Sequence, residues 1–236
     1  MPEAPGETCS APAEQHVEVL LATYNSERFP PEQIASLRAQ SFANFTVLLR
    51  DDGSTDGTPA RLDALVREAP DRFRRIDPDG ERLGACGSFS RLLVASRAPY
   101  VMFCDHDDVW LPDKIALTLG AMLAAEASAF AEGCEDEPIC VFTDLRVVDE
   151  RLETLCPSYW RHQRIDPTRL ALRQQLTQNV PSGCTMMLNR PLADLCAPVP
   201  ESAVMHDSWA SLTAAAMGRL AYLPEATVLY RQHGGN

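Results

Sequence analysis

The sequence predicts a single α/β domain with a mostly parallel central sheet and helices on both of its faces. Three observations indicate this class. Apolar runs of strand length alternate with helix-length segments, polar residues follow the ends of several runs, and no Gly/Ser-rich linker divides the chain. With 236 residues, of which 45% are hydrophobic, the chain can bury a core without disulfide or metal staples.

The first elements follow one another in a regular order. Val17–Thr23 is a short apolar run, as in a buried strand. Pro30–Leu37 starts with prolines and has apolar residues at helical spacing, which predicts a helix. Phe45–Leu49 is predicted as the second strand. Thr58 is then expected to cap a helix that has Pro59 at its first position.

The pattern continues to a fourth strand. Arg74–Asp77 is a weak third strand, Gly84 opens a short helix through Leu93, and Tyr100–Cys104 is the fourth strand. Strands and helices in this order form right-handed crossovers in a parallel sheet. Ligands of such sheets bind beyond the carboxyl ends of the strands.

The second half is less regular. A long helix is predicted first, with Asp108 or Asp113 near its start, and a strand, a second strand, a helix and a last strand follow it. In chain order these elements are Pro112–Ala131, Cys140–Thr143, Thr185–Leu188, His206–Met217 and Val228–Tyr230.

Charge and composition exclude several classes of function. The formal net charge of -12 and the pI of about 4.8 disfavour nucleic-acid binding. The tail Met1–Gln15 lacks the basic start and apolar core of a signal peptide, and the longest apolar stretch, Ile115–Ala131, is interrupted by Glu126. None of the eight cysteines are spaced as CxxC. We therefore expect free thiols and a cytoplasmic protein with possible peripheral contact to a membrane.

The first acidic motif is Asp105-His106-Asp107-Asp108, directly after the fourth strand. Carboxylates at a strand end provide the oxygen ligands that Mg²⁺ or Mn²⁺ requires, and such a cation neutralises a diphosphate. The alternative is a turn that caps the following helix. We assign that capping role to Asp108 alone, and we treat His106 as a spacer.

The second acidic motif is Asp51–Gly57, which follows the second strand. A solvated turn explains its Asp, Gly and Ser residues. The functional alternative is that its carboxylates accept hydrogen bonds from a base or a ribose. Because Asn25, Asp51, Asp52, Asp105 and Asp107 all follow strand ends, we expect them at one edge of the sheet.

Two later motifs are weaker. In His206-Asp207, Asp207 is either the N-cap of a helix or a general base, which contributes roughly 10²–10⁴-fold to catalysis. At the end of the chain, Arg231 and His233 either meet phosphate oxygens or a metal, or belong to a frayed terminus.

Taken together, five motifs resemble the family-2 glycosyltransferases, which have the GT-A fold. The resemblance begins at about residue 17 and implies a Rossmann-like sheet and an inverting transferase with a nucleoside-diphosphate-sugar donor. The motifs are Ala22–Asn25, Arg50–Thr58, Phe103–Trp110, His206-Asp207 and Tyr230–His233.

The resemblance also implies residue roles. Asp52 matches the acidic nucleoside-binding position with Asp51 beside it, and Asp207 matches the catalytic base. Asp105 and Asp107 match the DxD pair. The resemblance implies that Asp105 contacts the donor and that both residues bind Mg²⁺ or Mn²⁺. The remaining implied positions are the base pocket at Thr23 and Tyr24, the neighbouring Asn25, and a late metal or pyrophosphate contact at His233.

Within the family, Phe103–Lys114 and Gln178–Thr185 are similar to bacterial rhamnosyltransferase-like members. We therefore expect transfer from dTDP-rhamnose or a UDP-sugar to a hydroxyl of a surface polysaccharide or lipid-linked glycan. His206 stands where Glu is common, and relatives usually continue beyond Asn236.

The expected organisation is a flexible tail at 1–15 and one domain at 16–236. Its nucleotide-binding half is expected at about 16–110 and its acceptor half at about 111–236. One rival function is a nucleotidyltransferase, although Thr23–Glu27 lacks its Gly-rich, basic phosphate loop. The other rival is a non-catalytic sugar-binding domain of the same fold.

Overall fold

A computed structural model describes residues 15–27, 30–77 and 81–232. These residues form a nine-stranded mixed sheet with helices on both faces, which confirms the predicted α/β class. The strands are β1 (Val17–Thr23), β2 (Phe45–Asp51), β3 (Phe73–Arg75), β4 (Tyr100–Cys104), β5 (Val109–Trp110), β6 (Ile139–Val148), β7 (Thr154–Cys156), β8 (Met186–Asn189) and β9 (Arg219–Arg231). The helices are α1 (Pro30–Arg38), α2 (Thr58–Glu68), α3 (Gly84–Ala95), α4 (Lys114–Ala131), α5 (Tyr159–Gln163), α6 (Leu172–Gln175), α7 (Arg190–Cys196) and α8 (His206–Met217).

The strand order is β3-β2-β1-β4-β8-β6-β9-β5, and β7 pairs with β6. The first four strands in this order are parallel to one another, as the sequence predicts. Beyond β4 the sheet is mixed, because β8 is antiparallel to both of its neighbours, whereas β6 and β9 are parallel. The Rossmann-like arrangement thus belongs to the first half of the chain.

The strand register brings the predicted polar residues to one edge. Thr23 on β1 pairs with Asp51 on β2, and Leu21 on β1 pairs with Cys104 on β4. Because the three strands are parallel, the residues that follow them leave the sheet on the same side. This edge holds the candidate site.

The core consists of two apolar layers, one on each face of the sheet. Alternate strand residues serve the two layers, since successive side chains of a strand point to opposite faces. Leu21 packs in the layer that includes side chains of α1, α2 and α4, whereas Leu20 packs in the layer that includes side chains of α3, α7 and α8. The site edge is therefore supported from both sides.

Helix α4 lies in the first of these layers. Among the described helices, it alone is long and apolar enough to cross a membrane by length and composition. Its residues Ile115, Leu119 and Met122 are buried in the core. A helix packed on the core of a globular domain has the same length and composition.

Some predicted helix starts are wrong. Thr58 is the first residue of α2 and Gly57 is its N-cap, because the Thr58 hydroxyl instead accepts a hydrogen bond from the Ser26 backbone N–H at 3.0 Å. Helix α4 begins at Lys114 with Asp113 at its N-cap. Asp108 lies five residues before that cap, so its assignment as the helix cap is also wrong.

The cysteines of the described ranges are all free thiols, as the sequence predicts. Cys104, Cys140, Cys184 and Cys196 are buried, where they pack as small apolar side chains. Cys9 and most of the predicted tail lie outside the described residues.

Candidate functional site

A cavity of about 680 Å³ lies at the carboxyl ends of β1, β2 and β4. It brings together five of the predicted site residues from three strands. Its lining residues are Ala22, Thr23, Tyr24, Asp52, Arg82, Gly84, Ala85, Ser88, Phe89, Asp105, His106, Asp107, Met205 and Tyr230. The volume is in the range of protein sites for small-molecule ligands.

Asp52 is held as an anion by its neighbours. Its Oδ1 accepts hydrogen bonds from the Arg50 guanidinium at 2.8 Å, the Leu83 N–H at 2.7 Å and the Ser88 hydroxyl at 2.9 Å. Its Oδ2 accepts one from the Gly84 N–H at 2.9 Å. Burial alone raises the pKa of Asp52, but these donors outweigh burial and lower it. The carboxylate is therefore fixed in orientation at the cavity wall.

Asp51 lies beneath the turn beside the cavity. Its oxygens accept hydrogen bonds from the Thr23 hydroxyl at 3.0 Å and from the Ser54 hydroxyl and N–H at 2.6 and 2.9 Å. Asn25 has a positive φ of 42°, and its side-chain oxygen accepts a hydrogen bond from the Thr55 N–H at 2.8 Å. Both residues shape the loops of the site, and the cavity wall does not include either side chain. Their nucleotide-binding roles stay predictions.

Arg82 is a site residue that the sequence analysis missed. Its guanidinium lies 4.3 Å from the centre of the Tyr24 ring, and both side chains line the cavity. An arginine stacked on an aromatic ring presents a planar cation to a base or a phosphate. Arg82 follows no strand and belongs to no motif, so the sequence pattern carried no signal for it.

Asp105 and Asp107 line the same cavity, directly after β4. Burial, and then the negative charges of Asp107 and Asp207, raise the pKa of Asp105 to about 7. A divalent cation would relieve this crowding of negative charge. The hard oxygen ligands of the pair fit Mg²⁺ or Mn²⁺.

Asp108 lies next to Asp105 but on the protein side of the cavity, and it is absent from the cavity wall. It is buried, and its Oδ1 accepts a hydrogen bond from the Arg231 backbone N–H at 3.2 Å. One ligand atom from each of Asp105, Asp108 and Cys184 lies within 4.8 Å of the others. Burial raises the pKa of the Cys184 thiol well above its usual range, so the thiol stays protonated. A hard cation therefore fits Asp105 and Asp107 better than this buried group.

Arg231 ties the acidic loop to the rest of the fold. Its buried guanidinium donates to the Asp107 carbonyl and to the Glu150 carbonyl, both at 2.8 Å, and also pairs with the Glu32 carboxylate. The side chain is thus engaged with protein groups rather than open to phosphate oxygens. His233, the predicted metal or pyrophosphate contact, lies outside the described residues.

Asp207 lies in the first turn of α8, whose N-cap is Met205, so the N-cap alternative for Asp207 is wrong. Its Oδ2 accepts a hydrogen bond from the Gly183 N–H at 3.1 Å, and its Oδ1 accepts one from the Ser208 N–H at 2.6 Å. The charge of Asp207 acts on Asp105, so the two carboxylates approach the same site from different parts of the chain.

Gly183 and His206 surround this carboxylate. A Cβ atom on Gly183 would lie 3.1 Å from His206 Nε2 and 3.3 Å from the Asp207 Cβ. The buried imidazole stacks on Phe89 at 4.0 Å, and burial lowers the pKa of His206 to about 4. His206 is therefore neutral at pH 7, unlike the Glu that is common at this position. Gly183 lies in the segment Gln178–Thr185 that the sequence analysis singled out, but its contact with Asp207 could not be predicted from the sequence.

The fold and the cavity define an α/β protein with a cavity of ligand size at an acidic edge of its sheet. Residues 18–195 match the model of the family described as "Glycosyl transferase family 2". The chain belongs to this family, and its fold is GT-A.

Two named relatives illustrate the match. The UDP-Glc:alpha-D-GlcNAc-diphosphoundecaprenol beta-1,3-glucosyltransferase WfgD of Escherichia coli is 28% identical over 107 residues, which are 45% of this chain and 41% of the relative. The dTDP-rhamnosyl transferase RfbG of Shigella flexneri is 29% identical over 115 residues, which are 47% of this chain and 39% of the relative. The matched region thus spans less than half of either relative.

Two solved structures share the fold at low sequence identity. S. aureus TarS 1-349 in complex with UDP-GlcNAc superposes with a TM-score of 0.59 at 20% identity and covers 93% of this chain and 59% of that one. The mannosyltransferase PcManGT from Pyrobaculum calidifontis, in complex with GDP-Man and Mn²⁺, gives a TM-score of 0.64 at 18% identity, covering 90% and 56%.

Proposed function

We propose that the chain is an inverting glycosyltransferase that uses a divalent metal ion and a nucleoside-diphosphate-sugar donor. The observation that carries this proposal is the convergence of three carboxylate positions. Asp52 follows β2, Asp105 and Asp107 follow β4, and Asp207 reaches the same site from α8. One edge thereby holds groups for a nucleoside, a metal ion and an acceptor hydroxyl.

The nucleoside end of the donor is assigned to the side of the cavity with Asp52, Tyr24 and Arg82. The fixed Asp52 carboxylate is an acceptor for the N–H group of a pyrimidine base or for ribose hydroxyls. The Tyr24 and Arg82 stack offers a flat surface against which a base can pack. Thr23 lies below them, where its hydroxyl holds Asp51 in place.

The metal ion is assigned to Asp105 and Asp107, with His233 as a further ligand from the sequence prediction. The structural similarity of the chain to a mannosyltransferase solved with Mn²⁺ supports divalent metal use by this fold. When bound, Mg²⁺ or Mn²⁺ would supply positive charge for the diphosphate leaving group. Asp105 and Asp107 supply the negative charge and the oxygen ligands of that site, and they take no part in bond making or breaking.

The transfer step is assigned to Asp207. The acceptor oxygen forms a bond to the anomeric carbon as the bond from that carbon to the diphosphate oxygen breaks. The leaving electron pair goes to the nucleoside diphosphate, and the acceptor proton goes to the Asp207 carboxylate. The Gly183 and Ser208 N–H groups keep this carboxylate oriented for that role.

We further propose dTDP-rhamnose or a UDP-sugar as donor and a glycan or lipid-linked saccharide as acceptor. The name of RfbG, with its dTDP-rhamnosyl donor, supports the proposed donor. The name of WfgD, with its diphosphoundecaprenol acceptor, supports the proposed acceptor. Such an acceptor suits a cytoplasmic protein that works at the inner face of a membrane in polysaccharide biosynthesis.

A thermal-shift panel tests the donor. Nucleoside diphosphates and nucleotide-sugars with thymidine, uridine or guanosine are each added with Mn²⁺ or Mg²⁺ and with chelator. A ligand at 100 times its Kd stabilises the folded state by about 2.7 kcal/mol, so the specific donor should raise Tm clearly. A preference for thymidine compounds supports the rhamnosyl donor, whereas no shift with any nucleotide contradicts the proposal.

The same samples separate the two rival functions. A nucleotidyltransferase releases pyrophosphate from a nucleoside triphosphate, and detection of that product would favour it. A non-catalytic sugar-binding domain would bind nucleotide-sugars without releasing nucleoside diphosphate. Slow, metal-dependent hydrolysis of the donor argues against the second rival.

A further inference from the structure

The segment Tyr159–Leu176, which includes α5 and α6, has an unusual charge for this chain. It contains four arginines and one acidic residue, whereas the whole chain has 33 acidic and 21 basic residues. The single lysine, Lys114, is buried at the start of α4, so lysine adds nothing to the surface charge. The segment is therefore a cationic stretch of an acidic molecule.

An apolar inner side attaches this segment to the fold. Trp160 is buried and packs edge-on against Phe142 and Tyr222, with ring centroids 5.7 and 6.1 Å apart. Ile165 and Leu170 pack against the same apolar layer. The segment thus covers the layer that includes side chains of α3, α7 and α8.

The outer side of the segment is cationic. All of its arginines are exposed, namely Arg161, Arg164, Arg169 and Arg173. Their guanidinium groups take part in none of the ion pairs of the described residues. The carboxylate of Asp166 accepts hydrogen bonds from the Thr168 hydroxyl and N–H at 2.7 and 3.0 Å, and the charge of Arg169 acts on it. The other three arginines have no carboxylate partner in the part of the chain that the structure describes.

Exposed leucines lie among these arginines. Leu172 is the first residue of α6 and Leu176 directly follows its last residue, and their exposed fractions are 38% and 68%. Residues four apart lie on the same face of a helix, and the exposed Arg173 lies beside them. Gln175 is buried instead, and its side chain donates to the Arg169 carbonyl at 2.7 Å. Helix α6 therefore presents a face to solvent that is both apolar and cationic.

This surface lies beside the helix that carries Asp207. Helix α6 contacts α8, and the Ser211 hydroxyl of α8 donates to the Asn179 side-chain oxygen at 2.5 Å. The chain then continues through the buried Val180 to Gly183, whose N–H holds the Asp207 carboxylate. The cationic surface is thus joined directly to the turn that positions the proposed base.

We propose that Tyr159–Leu176 is a docking surface for an anionic lipid bilayer. Arginines attract anionic headgroups, and exposed leucines insert into the boundary between headgroups and acyl chains. Because the net charge of the chain is -12, such a bilayer repels most of the remaining surface, so this segment sets the orientation of the domain. A soluble polyanion would use the arginines but would gain nothing from the leucines. That the bilayer also carries the acceptor for Asp207 rests on the proposed function, whereas the docking itself does not.

Vesicle co-sedimentation of the full chain, without donor or acceptor, tests the docking. Vesicles of phosphatidylglycerol and phosphatidylcholine in equal parts are compared with vesicles of phosphatidylcholine alone, at low and high salt. We expect binding to the anionic vesicles only, and less of it at high salt, because salt screens the attraction. Arg161→Gln combined with Arg173→Gln should lower the partition coefficient by roughly 30-fold. Leu172→Gln combined with Leu176→Gln should also weaken binding.

The matched controls change the same residue types on helices of the opposite layer. Arg38→Gln combined with Arg67→Gln removes two exposed arginines from α1 and α2, and Leu117→Gln changes an exposed leucine of α4. Both controls should bind vesicles like wild type. Wild-type binding by the Arg161 and Arg173 double variant, or an equal loss in the arginine control, would overturn the docking surface.

Hydrogen exchange of the wild-type protein, read by mass spectrometry, does not depend on the folding of a variant. Anionic vesicles should slow exchange in peptides from Tyr159–Leu176 and leave peptides from α1 and α2 unchanged. Slower exchange with heparin but not with vesicles would assign the surface to a soluble polyanion and overturn the lipid assignment. Turnover of a nucleotide-sugar in solution without vesicle binding contradicts the docking alone, whereas vesicle binding without any turnover contradicts the proposed function instead.

Discussion

Among single residues, Asp207 carries the clearest chemical assignment. Two backbone N–H groups orient its carboxylate, and a neutral imidazole rather than a second carboxylate precedes it in the chain. The neutral His206 leaves Asp207 as the single negative charge of this pair. An acceptor hydroxyl bound as proposed would therefore meet one carboxylate at this pair rather than two.

Asp207→Asn is expected to lower turnover by about 10²–10⁴-fold and to leave the donor Kd unchanged, since an amide does not take up the acceptor proton. Turnover is measured as release of nucleoside diphosphate, and donor binding is measured by calorimetry. Asp194→Asn, at an exposed position on α7, is the control and should keep full turnover. Equal loss of binding and turnover in Asp207→Asn would assign the residue to the donor rather than to proton transfer.

Glu18 shows how one buried carboxylate stabilises the fold away from the site. Its Oε2 accepts hydrogen bonds from the Ser96 hydroxyl at 2.7 Å and from the Arg97 and Ala98 N–H groups at 2.7 and 3.0 Å. Burial alone raises the pKa of Glu18, but these donors outweigh it and the pKa is lowered. The carboxylate thus joins β1 to the end of α3.

Glu18→Gln is expected to reduce the free energy of unfolding by about 1–3 kcal/mol at pH 7. Because the folded pKa is lowered, the ionic part of this stabilisation is present above the ordinary pKa and is lost as the pH falls through the folded value. Urea unfolding at pH 7 and pH 3 should therefore show a smaller difference between the two proteins at pH 3. The exposed control Glu68→Gln should behave like wild type at both values.

At the scale of elements, the short turn Gly183–Thr185 positions the first turn of α8. It lies between α8 and the ends of β4 and β6, and its first N–H holds Asp207. Gly183 is needed here for space rather than for backbone conformation, because a Cβ would press on both His206 and Asp207. The turn therefore sets the position of the carboxylate.

Gly183→Ala is expected to lower turnover by roughly tenfold or more while the donor Kd changes little, because a displacement of about 1 Å can cost 10²-fold in rate. The control Gly120→Ala adds a Cβ on α4 where no atom lies within 4 Å. It should raise stability by about 0.5–1 kcal/mol and leave turnover unchanged. Wild-type turnover in Gly183→Ala would show that the turn does not position Asp207.

The elements differ in how far the sequence predicted them. Strand β4 was predicted over its full length, because all of its residues are buried and apolar. Strand β9 was predicted over three of its residues only, since it extends over Arg219–Arg231, with several exposed positions and a proline. The strand order beyond β4 could not be predicted from the sequence, because it depends on pairings between segments that are far apart in the chain.

The same distinction applies to the site. Carboxylates that follow strands were predicted, because chain position alone brings them to one edge. Asp108 was assigned wrongly because its partner, the Arg231 N–H, lies 123 positions away. Arg82 had no local pattern, and only the folded chain brings it near Tyr24.

For the whole molecule, negative charge is concentrated at the working edge of an already acidic protein. A chain of net charge -12 repels a diphosphate unless a cation neutralises the local field. Removal of divalent metal with chelator is therefore expected to abolish turnover, and Mg²⁺ or Mn²⁺ should restore it. Nucleoside diphosphate release across a metal titration measures this dependence. Full turnover in excess chelator would remove the metal from the proposed function.

The buried position of the single lysine has a practical consequence for chemistry on this protein. Reagents that acylate amines find no lysine on the surface of the folded domain, since the one ε-amine is enclosed. In the native state they should leave the side chain of Lys114 unmodified. The fraction of molecules acylated at Lys114, measured by mass spectrometry, would then report how often the core opens.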